Sequence, residues 1–131
     1  MYRFIRNFTV FVLIFTALFS GSVSEIRAQD RVALEKNIQF RRGASSATVS
    51  GRVARGTTHW YHVRARAGQE MAVVLKTGNR TAFTISARHA GILEGADGVR
   101  RTLVELPETG DYLIEIATDV TANYTLEVTI H

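Results

Sequence analysis

Apolar residues fall on every second position along three separate stretches of this chain, and that spacing limits what it can fold into. Tyr61, Val63 and Ala65 form one series, Met71, Val73 and Leu75 a second, and Tyr124, Leu126, Val128 and Ile130 a third. Successive side chains of a strand point to opposite faces, so each series lines a buried face. Shorter alternations run through Ala47 and Val49, through Phe83, Ile85 and Ala87, and through Tyr112, Ile114 and Ile116. Beyond the first 28 residues no window carries a helical period. The spacing therefore predicts an all-β fold, an antiparallel β-sandwich of about seven or eight strands.

Turn chemistry divides these strands. Residues 29–36 read as a polar lead-in, and Ile38 and Phe40 begin the first strand. Ala67-Gly68-Gln69 predicts a hairpin between His59–Arg66 and Glu70–Lys76. Three glycines and Asp97 mark Ala90–Gly98 as a long loop, and Thr102–Leu106 is a strand with weaker patterning. Pro107-Glu108-Thr109-Gly110 is a turn, since Pro presets its own φ and Gly accepts positive φ. Tyr61, Tyr112 and Tyr124 lie on apolar parities, which makes them core rings with hydroxyls bonded near the surface.

The N-terminus is of a different kind. Arg3 and Arg6 precede an apolar run from Phe8 to Phe19, and Ser22, Ser24 and Ala28 offer small residues for cleavage. This is the layout of a secretory signal peptide over residues 1–28, with 29–131 as a single β-sandwich domain. The apolar run is shorter than the roughly 20 residues a spanning helix needs, so membrane contact is expected only through this segment before cleavage. The expected location is periplasmic or secreted. There is no Cys, so the exported domain holds together without disulfides.

The formal charge is +4, but removing residues 1–28 takes away Arg3, Arg6, Arg27 and Glu25 and leaves +2. A nucleic-acid partner is not implied by that balance. Nor is catalysis. His59 and His62 stand three apart on a strand and face opposite sides, so they cannot share a metal. Ser45 and Ser46 lack a G-x-S-x-G setting, and Glu94 and Asp97 lack the further oxygen ligands a calcium loop supplies. No catalytic residue, cofactor or metal site is expected. The outward parity Trp60, His62, Arg64 and Arg66 is the more useful constellation, because Trp and Arg dominate binding hot spots.

The blocks F-R-R-G-A-S-S-A-T-V-S-G at 40–51, A-x-x-G-Q at 65–69 with Tyr61 before it, and L-P-E-T-G-D-Y at 106–112 resemble the periplasmic inhibitors of goose-type (g-type) lysozyme. The looser blocks are shared with the wider pre-peptidase-C-terminal-like β-sandwich modules. The resemblance implies an exported sandwich without cofactors that places two loops in the lysozyme cleft. Those loops correspond to the bends at Gly56–His59 and Thr118–Ala122. The inhibitors carry an aromatic residue where this chain has Gly56, and arginines on a longer second bend where this chain has Asp119. An inserted Arg gains a charge-assisted bond from a catalytic carboxylate, whereas an Asp in the same place is repelled. The candidate partner-binding residues are therefore positions on these loops and the neighbouring face: Arg55, Thr57, Thr58, His59, Trp60, Arg64 and Asp119. Two functions follow. One is inhibition of a g-type lysozyme. The other is an envelope or secreted module that binds a cell-envelope glycan or a protein.

Overall fold

A computed structural model describes residues 31–78 and 80–131. The expected signal segment lies outside these residues. Among the described residues there are nine strands and no helix: β1 (Arg31–Asn37), β2 (Ser46–Val53), β3 (Thr57–Ala65), β4 (Glu70–Lys76), β5 (Thr81–Ala87), β6 (Gly91–Ile92), β7 (Arg101–Glu105), β8 (Gly110–Thr118) and β9 (Ala122–Ile130). They form a five-stranded sheet in the order β1-β3-β8-β5-β6 and a four-stranded sheet in the order β2-β9-β4-β7. The expected sandwich is present, and its core is made of the predicted parities. Tyr61, Val63, Phe83, Ile85, Tyr112, Ile114 and Ile116 from one sheet meet Met71, Val73, Leu75, Tyr124, Leu126 and Val128 from the other.

Two expectations are corrected. Residues 31–37 are not a loose lead-in but an edge strand, paired in parallel with β3 and broken by a bulge between Val32 and Leu34. Every residue of β1 except Leu34 is exposed, so the segment has no buried parity to betray it. Its ladder is made of backbone bonds, which leave no mark in side-chain pattern, with one side-chain contact added where Glu35 Oε1 lies 2.7 Å from His62 Nε2. Ile38 and Phe40 follow the strand rather than begin it.

The second correction concerns Ala67-Gly68-Gln69. β3 and β4 do not form a hairpin, because β3 belongs to the first sheet and β4 to the second. The turn is a corner between sheets. Gly68 takes φ +86°, Gln69 N–H donates to Arg66 O at 3.2 Å, and the Gln69 side chain accepts Arg66 N–H at 2.8 Å. The corner is bolted to the turn before β8: Gly68 N–H donates to Leu106 O (2.9 Å), Leu106 N–H to Gln69 O (2.8 Å), and Ala67 N–H to Thr109 Oγ1 (2.9 Å). Tyr112 completes this end, its hydroxyl bonded to both the carbonyl and the N–H of Glu108. The A-x-x-G-Q and L-P-E-T-G-D-Y blocks thus interlock, and both serve the scaffold.

Candidate functional site

The opposite end of the sandwich carries the two bends. The first is tight: Ala54 O accepts both Thr57 N–H (3.1 Å) and Thr57 Oγ1–H (2.7 Å), and Gly56 takes φ +74°. L side chains rarely adopt that backbone conformation, so an aromatic residue does not fit at 56 without remaking the bend. The second bend joins β8 to β9. Arg55 N–H donates to Thr121 Oγ1 at 3.1 Å, which ties the two bends together across 66 residues of chain. A third segment arrives between β4 and β5, where Thr77 Oγ1–H donates to Asn123 O at 3.0 Å.

Arg80, from this third segment, decides the electrostatics. Its guanidinium lies 2.8 Å from an Asp119 carboxylate oxygen, with both side chains largely exposed. The hydrogen bond from Arg80 holds the Asp119 carboxyl below its usual range, with a smaller contribution from Arg55. Asp119 is therefore not a bare acid. The end presents Arg55 and Arg80 near one carboxylate, and the second cation comes from a loop that sequence spacing did not connect to either bend.

The remaining candidates are distributed differently. Thr57 is half-buried, and Thr58 and His59 are buried, so these two do not offer side chains to a partner. His59 points inward, where its Nδ1 lies 2.7 Å from Tyr124 Oη, and Tyr124 Oη is 2.6 Å from Tyr61 Oη. Two of the three core tyrosines thus bond to each other in the interior rather than near the surface. Gly51 makes room for this cluster, since a Cβ there would sit 2.7 Å from Tyr124 Oη and 2.9 Å from Cζ.

Trp60 lies on the outer face as expected, beside Glu35 and Glu115 on the neighbouring strands. It is half-buried, however, and its indole N–H is enclosed with no hydrogen-bond partner among the described residues. Arg64 is exposed, 3.7 Å from Asp111. It stands seven residues beyond the start of β3, roughly 23 Å from the bends at the rise of a strand. The structure does not bring Arg64 to the loop end. Among the described residues no group of three metal-ligating side chains comes together.

Burial lowers the His59 pKa from its ordinary value of 6.5. The unfolded chain then binds a proton that the folded protein resists, so His59 favours folding above 6.5 and this contribution is lost as pH falls below it. Stability measured by denaturant titration should decline from about pH 6.5 downward. In His59→Gln, which keeps a polar group but cannot charge, that part of the decline should vanish.

No protein-family model matches the chain, and no curated protein does. Solved structures do match. Aeromonas hydrophila PliG, a periplasmic lysozyme inhibitor of g-type lysozyme, is 26% identical with a TM-score of 0.65, covering 75% of this chain and 97% of that one. This chain resembles it over nearly that protein's whole length. A mutant of the Escherichia coli PliG (18% identity, TM-score 0.62) is matched over 75% of this chain and 98% of its own. The Salmonella Typhimurium PliG (20% identity, TM-score 0.60) is matched over 76% and 100%. Both of these share the fold.

Proposed function

We propose that this chain is an exported, non-enzymatic inhibitor of a g-type lysozyme, acting in the periplasm through the loops at one end of the sandwich. The observation that supports this most is the meeting of the two bends, joined by the Arg55–Thr121 bond, on a scaffold similar to PliG. Arg80 answers the difficulty posed by Asp119. It neutralises the acid and leaves Arg55 as the cation facing a catalytic carboxylate in the cleft. The mature protein begins near Gln29 in this reading.

Purified protein titrated against g-type, chicken-type and invertebrate-type lysozymes acting on cell walls tests the reading. Inhibition of the g-type enzyme is expected at micromolar concentration or below. A charge-assisted bond contributes about 1.5–3 kcal/mol, so Arg55→Ala should weaken inhibition roughly tenfold to a hundredfold. Arg80→Ala should weaken it too, by exposing the Asp119 charge, and Asp119→Asn in that background should recover part of the loss. Failure of the wild-type protein to slow any lysozyme removes the reading and leaves an envelope module that binds glycan or another protein.

A further inference from the structure

The side of the sandwich formed by β6 and β7 carries an unspent surface. Among the described residues Leu103 and Ile92 are the two most exposed large apolar ones, at 66% and 56%, and both border one groove that also takes in Leu93, Val104 and Pro107. Beside the groove runs β7, the last strand of the four-stranded sheet, which among the described residues pairs only with β4. An unpaired edge is a template for another strand.

The direction of its free backbone groups follows from the bonds at its two ends. Leu75 N–H donates to Arg100 O, and Leu106 N–H donates to Gln69 O. Hydrogen-bonded positions alternate along an antiparallel ladder, so Thr102 and Val104 also bond towards β4. The N–H and C=O groups of Arg101, Leu103 and Glu105 therefore point outward. The side chains of the same three residues stand on the outer face of the sheet, all exposed, while Thr102 and Val104 face inward.

The geometry points to a second copy of this chain as the occupant, its β7 pairing antiparallel with the first about a two-fold axis at Leu103. In this register Arg101 meets Glu105 of the second copy, Leu103 meets Leu103, and Glu105 meets Arg101. Each outward backbone group on these residues finds a partner. Moving the register so that the axis passes Arg101 or Glu105 puts like charges opposite one another, and intermediate registers place a charge against Leu103. Only the pairing centred on Leu103 sets every charge against its opposite.

A further contact within the single chain favours the same pairing. Glu105 stands directly opposite Glu70 on β4, and like charges so placed are unfavourable. Neither glutamate, nor Arg101, has an ion-pair partner among the described residues. The second copy's Arg101 would supply the missing cation. Protective charges on an edge strand normally discourage pairing. Here an opposite pair, placed symmetrically about a leucine, recommends one partner. The two four-stranded sheets would merge into one, with the loop ends of the two copies at opposite poles. Lysozyme inhibition and this association are then independent.

Sedimentation velocity of the wild-type protein from low to high micromolar concentration should show a monomer–dimer equilibrium. Leu103→Lys places two ammonium groups at the axis and should abolish the dimer without changing the far-ultraviolet spectrum. Arg101→Glu and Glu105→Arg should each weaken it about tenfold or more, because two attractive pairs become repulsive. The double swap R101E/E105R should restore it, and an equimolar mixture of the two single variants should form a heterodimer tighter than either homodimer. A wild type that stays monomeric throughout overturns the proposal. So does a dimer indifferent to Leu103→Lys, or a mixture that gains nothing. Leu103→Lys should retain whatever lysozyme inhibition the wild type has, so the two ideas fail separately.

Discussion

Leu126→Ala should destabilise the domain by about 2–5 kcal/mol, among the largest effects available from one residue, because it opens a cavity in a closed core. Leu126 is 0% exposed. It sits mid-strand on β9, between Val49 of β2 and Leu75 of β4, so three strands of one sheet line the space it fills. Those strands are held by long ladders and cannot easily move together. The expected fall in thermal midpoint is roughly 4–8 °C for each kcal/mol. A scanning experiment at matched concentration measures it. An unchanged midpoint would mean that β9 turns its other face inward.

Gly51→Ala should also destabilise, and here the sign is the informative part. Glycine inside a strand ordinarily costs about 0.5–1 kcal/mol relative to alanine, so the substitution would normally stabilise. At Gly51 the added Cβ runs into the Tyr124 ring, 2.7 Å from Oη and 2.9 Å from Cζ. A free side chain could swing aside. Tyr124 cannot do so cheaply, because its hydroxyl is shared between His59 and Tyr61 and its ring packs edge-on against both. Overpacking costs about 1–3 kcal/mol, and a broken buried hydrogen bond adds to it. Chemical denaturation of Gly51→Ala, Tyr124→Val and the double variant forms a cycle that isolates the contact. In the Tyr124→Val background the Gly51→Ala change should become neutral or stabilising. If alanine at 51 stabilises the otherwise wild-type protein, the close approach is not a constraint.

This cluster also shows what the resemblance blocks encode. The first block ends in Ser50-Gly51, and Gly51 is there because Tyr124 lies across it from the paired strand. A-x-x-G-Q and L-P-E-T-G-D-Y meet at the far end of the sandwich from the bends. The residues that make the chain look like a lysozyme inhibitor are those that shape the scaffold. The loop end, where inhibition would reside, is built from Arg55, Gly56, Asp119 and Arg80, none of which belongs to those blocks.

The strand parities and the identity of the core were legible in the sequence alone, since alternation is a local property of neighbouring residues and burial of one face follows from it. The same reasoning put Trp60 and His62 on the outer face, whereas His59, named as a loop position for a partner, is buried against Tyr124. Tertiary structure decided which strands share a sheet. Nothing within Ala67-Gly68-Gln69 says that β3 and β4 part there, because a corner and a hairpin use the same turn residues and bury the same parity. It also decided that residues 31–37 form a strand, for an exposed edge pairs through backbone groups common to every residue. Arg80 met Asp119 for a similar reason. The two lie 39 positions apart, and an ion pair between loops depends on where strand ends converge in space, which no spacing along the chain records.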